Sequence, residues 1–209
     1  MNPTPEKTSV MAPFILMLFL YFIVGLFTVI NQQFQVPLKS ALLPHDGNMT
    51  NALVTLLNFS WFLAYPFSEG FATRWVDRLG YRKTSVYSLL IFIAGLGFYE
   101  AAVLLHIYAP SYITIMGNPI FTGFFIFLSG SFVIGMAVTI LQVVTGLYLD
   151  VNPVGKTTPL QRQMIGGTTN SIGMAIGPLV VSYIIFYGIP LHNVQSREFI
   201  WPVICLIAI

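Results

Sequence analysis

The sequence predicts an all-α integral membrane protein, on three observations. Of its 209 residues, 56% are hydrophobic and only 8% are charged, and the mean hydropathy is +0.80. A soluble domain carries about 25% charged residues, because its surface must meet water. The apolar residues come in runs close to the roughly 20 residues that cross a bilayer as a helix. Finally, the basic residues lie between these runs, where they set orientation, and not inside them.

Taken in order, the runs predict six helices forming one transmembrane bundle over 1–209. The first covers 12–35 and stops before Pro37. It is too long for a signal-peptide core and has no small-residue cleavage site, so it reads as a retained span. The second covers 51–73 and the third 85–106. The fourth, 120–149, is longer than a bilayer needs and reads as tilted or protruding. The fifth covers 164–188. The sixth starts near 199 and is cut off at Ile209 without a cap, turn or flanking charge, so the chain reads as part of a longer protein.

Between the second and third runs lies a polar strip, expected to be a loop. It holds Arg74, Arg78, Arg82 and Lys83, with Asp77 as its only acid. Together with Lys7 and the 150–163 loop (Lys156, Arg162), one set of connections holds seven basic residues; the alternate set holds Lys39 and Arg197. This bias predicts a multi-pass protein of the cell (inner) membrane with a cytoplasmic N-terminus. The charge-free 107–119 loop suits the outer side.

Composition also excludes function classes. A net charge of +2 without a basic, aromatic-laced stripe does not suit nucleic-acid binding. The single Cys205 excludes an internal disulfide, and no metal-type Cys/His spacing exists. There is no nucleophile–base pair, no paired carboxylates and no phosphate-binding glycine loop, so neither an enzyme nor a cofactor or metal site is expected.

Polar residues inside apolar runs are costly and therefore informative. Thr28, Gln32 and Gln35 share helical spacing late in the first run, at a water-facing end or a vestibule. Ser131, Thr139, Gln142 and Thr145 form a stripe with Gly135 on the fourth. Thr168 to Ser171 lie among glycines on the fifth, where Gly173-x-x-x-Gly177 reads as close helix packing. Gln142 lies eight residues before Asp150 and Asn170 eight after Arg162, so each is about 12 Å from its helix end. The two amides are expected at one level, as an interhelical hydrogen bond or as solute contacts; spacing does not choose between them. Glu100 reads as structural or interfacial, with an ion-linked role as the lesser alternative, and Glu69 as paired with Arg74.

The strip resembles the signature loop of the major facilitator superfamily through Asp77, Arg78, Gly80, Arg82 and Lys83, with Thr73 in place of the leading glycine. Three further stretches resemble the fucose:proton symporter family of sugar permeases: Asn31 to Lys39, Leu141 to Tyr148, and Arg162 to Gly173 followed by Pro178. The resemblance implies the N-terminal six-helix bundle of that fold, facing a C-terminal bundle absent from this chain. It implies transport of a neutral monosaccharide of the fucose, glucose or galactose kind by alternating access. Gln142, Asn170, Gln33 and Gln32 would contact the sugar, and Asp77, Arg78, Gly80 and Arg82 would form a cytoplasmic gate. Glutamine stands at Gln33 and Gln142, where the family carries carboxylates. Proton coupling there is not implied, and sodium coupling, proton coupling elsewhere, or uniport stay open. Two other readings remain: a superfamily exporter of drugs or metabolites, and a non-transporting membrane sensor. No Arg lies within the first, fourth or fifth runs, as an anionic cargo would require.

Overall fold

The computed structural model describes residues 8–43, 48–115, 118–188 and 201–202. Helix α1 spans Thr8–Gln33 and, after a turn at Phe34, is followed by α2, Gln35–Leu42. Helix α3 spans Asn48–Tyr108. Strands β1 (Tyr112–Ile115) and β2 (Asn118–Phe121) then form an antiparallel hairpin. Helix α4 spans Thr122–Val151, and α5, Pro159–Val180, runs into a π-helical turn at Val181–Ile185. Four helical stretches, Met11–Lys39, Met49–Tyr108, Thr122–Val151 and Pro159–Ile185, are long and apolar enough to cross a membrane. The chain is thus a helical, multi-pass membrane protein. Helix suits that solvent because it satisfies every backbone donor and acceptor within the segment.

The strip expected as a loop is helical on both sides of one residue. Within α3 only Gly80 leaves helical geometry, at φ 77° and ψ 167°, a combination open essentially to glycine. Trp61 and Tyr99 stand 19 residues to either side of it, yet both line one cavity with Asn31 and Ile134. A straight helix would hold them about 57 Å apart. Helix α3 is therefore a hairpin of two antiparallel arms, turned at Gly80. The second and third expected helices are its arms, each longer than read.

Both arms pack on α4, which is buried over most of its length. Gly135 lies against the backbone of Trp61, and Gly95 of the second arm against Ile134. The α4 polar stripe divides: its hydroxyl residues are buried, whereas Gln142 is half-buried. Ser131, Thr139 and Thr145 are buried, and their hydroxyls donate to the carbonyls of Leu57, Gly135 and Leu141. The charge-free loop is not wholly irregular: it holds the hairpin, and α4 begins at Thr122, not 120.

Helix α5 begins at Pro159, five residues earlier than expected, behind a Thr158–Gln161 capping box. Its main partner is α1, not α4. Gly166, Asn170, Gly173 and Gly177, at i, i+4, i+7 and i+11, form one face against Tyr21, Phe22, Leu26 and Val29. The small-residue reading of Gly173 and Gly177 holds on this face. The expected sixth helix lies outside the described residues, except for helical positions 201 and 202.

The elements sort into two ends. Phe14 near the start of α1 clusters with Leu149 at the end of α4 and Val154 just after it. Tyr81, beside the Gly80 turn, meets Tyr148 edge-on with ring centroids 5.3 Å apart. At the other end Phe34 packs on Phe186, 5.4 Å apart, and His106 on Phe121, 4.4 Å apart. Of the seven basic residues described, all but Lys39 fall at the first end.

Candidate functional site

The α4–α5 connection anchors the polar groups at the basic end. Arg162 is buried, 2% exposed. Its Nε donates to the carbonyl of Leu149, Nη1 to that of Thr157 at 2.7 Å, and Nη2 to that of Asp150 at 2.8 Å. A guanidinium fork there satisfies carbonyls that the end of α4 leaves free, and sits favourably against its dipole. Next to it, Gln163 Nε2 donates to the carbonyl of Gly146 at 2.8 Å and to Asp150 Oδ1 at 2.9 Å.

Above this anchor α4 packs against both α1 and α5. Gln142, Gly146 and Asp150 follow one another at i, i+4 and i+8 on α4, on one side of the helix. A side chain at Gly146 would touch the hydroxyl of Tyr21 and Nε2 of Gln163, so this side of α4 faces both neighbours. Gln142, Tyr21 and Gln163 are half-buried. The Gln142 amide has no hydrogen-bond partner among the described residues. An uncommitted amide one turn along α4 from a tyrosine hydroxyl and a second amide offers donors and acceptors to a neutral polar solute.

The other expected contacts lie elsewhere. Asn170 does not pair with Gln142: its Nδ2 donates to the carbonyl of Tyr21 at 3.0 Å. The reason is the small-residue face, which draws α5 onto α1 and turns Asn170 with it. Gln32 and Gln33 are half-buried in the last turn of α1, toward the opposite end, and their amides also lack partners among the described residues. Gln35 belongs to α2, because the turn at Phe34 intervenes. Asp77, Arg78 and Arg82 are exposed at the hairpin tip around Gly80. Glu69 makes no ion pair with Arg74. Five residues apart on a helix, the two point about 140° apart.

A second polar group, missed by the sequence reading, lies in the core. Asn31, 5% exposed, accepts at Oδ1 from the Tyr99 hydroxyl at 3.0 Å and from Ser131 Oγ at 3.4 Å. Its Nδ2 has no partner among the described residues. The adjoining cavity measures about 10 Å³, room for one water molecule. A further cavity beside Phe27, Ser88 and Leu141 measures about 20 Å³. Neither admits a monosaccharide. Among the described residues no group of three or more His, Cys, Asp or Glu could hold a metal ion. Comparison with protein-family models, curated proteins and solved structures returns no match.

Proposed function

We propose that this chain is one helical bundle of a transporter that moves a neutral monosaccharide or similar polyol by alternating access. The observation that carries the reading is Gln142, half-buried with an uncommitted amide on the side of α4 that one turn on, at Gly146, meets Tyr21 and Gln163. The two core cavities described above hold no more than a water or two, so cargo belongs on an outward face of the bundle. A second bundle, as in the major facilitator fold, would close that face. Gln142 and Tyr21 bind the sugar in this reading. Gln32 and Gln33 contribute from the opposite end, and Asn170, bonded to the Tyr21 carbonyl, sets the α1–α5 spacing. With the α3 arms counted separately, the described helices cross the bilayer five times, with the basic end in the cytoplasm. The Gly80 hairpin with Asp77, Arg78 and Arg82 is the gate at that side.

The test is uptake of labelled hexoses by proteoliposomes containing the full-length protein, with and without imposed proton or sodium gradients. The expected result is saturable uptake of one hexose, reduced about tenfold in Gln142→Ala, the effect of losing roughly one charge-free hydrogen-bond pair. Absence of uptake for every hexose overturns the sugar reading. Drive by a proton gradient would place a titrating group outside Gln33 and Gln142.

A further inference from the structure

The α3 hairpin carries more than the gate's Asp77, Arg78 and Arg82. Its tip carries Arg74, Arg78, Arg82 and Lys83, all exposed. None of the four makes an ion pair or hydrogen bond through its side chain among the described residues. With Asp77 as the one acid in the strip, four positive charges less one negative leave +3 at the tip.

What lies above these charges is specific. On the first arm Phe67, Phe71, Arg74 and Arg78 fall at i, i+4, i+7 and i+11, along one side of the helix. Phe67 is 57% exposed and Phe71 51%. On the second arm Arg82, Val86, Leu89 and Ile93 repeat the same spacing, again with exposed apolar side chains. Each arm therefore carries an apolar ridge, about 6 Å long on the first and about 10 Å on the second, that ends in a guanidinium. Trp75 and Tyr87, ring centroids 6.3 Å apart, bridge the arms just above the tip. Amphipathic rings belong at the headgroup level of a bilayer. Tyr81 against Tyr148 fixes the tip to the end of α4.

We infer that the Gly80 hairpin is a docking surface for anionic phospholipid, with acyl chains along the two ridges and the phosphates on Arg74, Arg78, Arg82 and Lys83. A free phosphate would use the cations and leave the ridges idle; a neutral phospholipid would use the ridges and leave the net charge unbalanced. Basic residues beside a membrane helix attract anionic headgroups, each strengthening binding about fivefold. The inference requires the membrane-spanning fold and is independent of the cargo.

The experiment is native mass spectrometry of the purified protein with phosphatidylglycerol and phosphatidylcholine in equal amounts. The wild type is expected to retain phosphatidylglycerol preferentially, and Lys156→Gln, at the same end but off the hairpin, to behave like it. The variant combining Arg74→Gln, Arg78→Gln, Arg82→Gln and Lys83→Gln is expected to lose the preference. Should that variant fail to fold, the three Arg→Lys changes keep the charge and retain lipid, and retention falls with added salt. Equal retention of the two lipids overturns the inference. So does displacement of phosphatidylglycerol by soluble glycerol phosphate, which would mark a free-phosphate site.

Discussion

At the scale of single residues, Arg162 shows how one side chain changes meaning between sequence and structure. In the sequence it counts as one loop charge among seven. In the fold it is buried, and its guanidinium holds the carbonyls of Leu149, Asp150 and Thr157. Arg162→Met leaves those carbonyls with fewer donors, and the expected loss is on the order of 3 kcal/mol of stability. Thermal unfolding of the purified protein in detergent measures it. Arg162→Lys is expected to recover less than half, because an ammonium cannot reproduce the planar fork. Equal stability of wild type and Arg162→Met would mean that water replaces the guanidinium at the end of α4. Asn31 is a second residue whose role needed the fold. It sits in a run of amides, Asn31-Gln32-Gln33, and helical spacing alone does not say which of the three meets Tyr99 and Ser131.

At the scale of elements, the contact between α1 and α5 decides the site. A Cβ at Gly173 would collide with the backbone of Phe22, whereas one at Gly167 would meet nothing within 4 Å. Gly173→Ala is therefore expected to cost about 1–3 kcal/mol through forced separation of two helix backbones. Gly167→Ala is expected to be neutral or to gain about 1 kcal/mol from helix propensity. Unfolding curves of the two variants check the contrast, and an equal response would refute the α1–α5 face. The sequence made the packing role of Gly173-x-x-x-Gly177 legible, because small residues at that spacing have few other uses in an apolar helix. It did not reveal the partner. Chain order suggests that α5 returns beside α4, but the glycines carry it onto α1. Asn170 goes with them, away from Gln142. The Gly80 break is similar: the strip's polarity marked a boundary, but helical residues up to Leu79 and from Tyr81 leave no length for a loop.

At the scale of the whole molecule, the two ends differ in chemistry, and this difference carries the last prediction. The Gly80 tip and the α4–α5 connection lie together at the basic end, while the β1–β2 hairpin lies at the other. The apolar runs and the charge bias were legible without coordinates, since both follow from what a bilayer excludes. The grouping of the ends was legible too, from the alternation of the loops; the contacts that join them, Tyr81 with Tyr148 and Phe14 with Leu149, were not. In a Cys205→Ser background, Lys156→Cys and Tyr112→Cys each place one thiol at an exposed position, at opposite ends. An impermeant maleimide applied to intact cells is expected to label Tyr112→Cys, and to reach Lys156→Cys only after permeabilisation. Labelling of both from the same side would refute a bundle that spans the bilayer between these ends. Labelling with the two sides exchanged would keep the bundle and reverse its orientation. That outcome would put the cationic hairpin outside and the charge bias at odds with the direction of insertion.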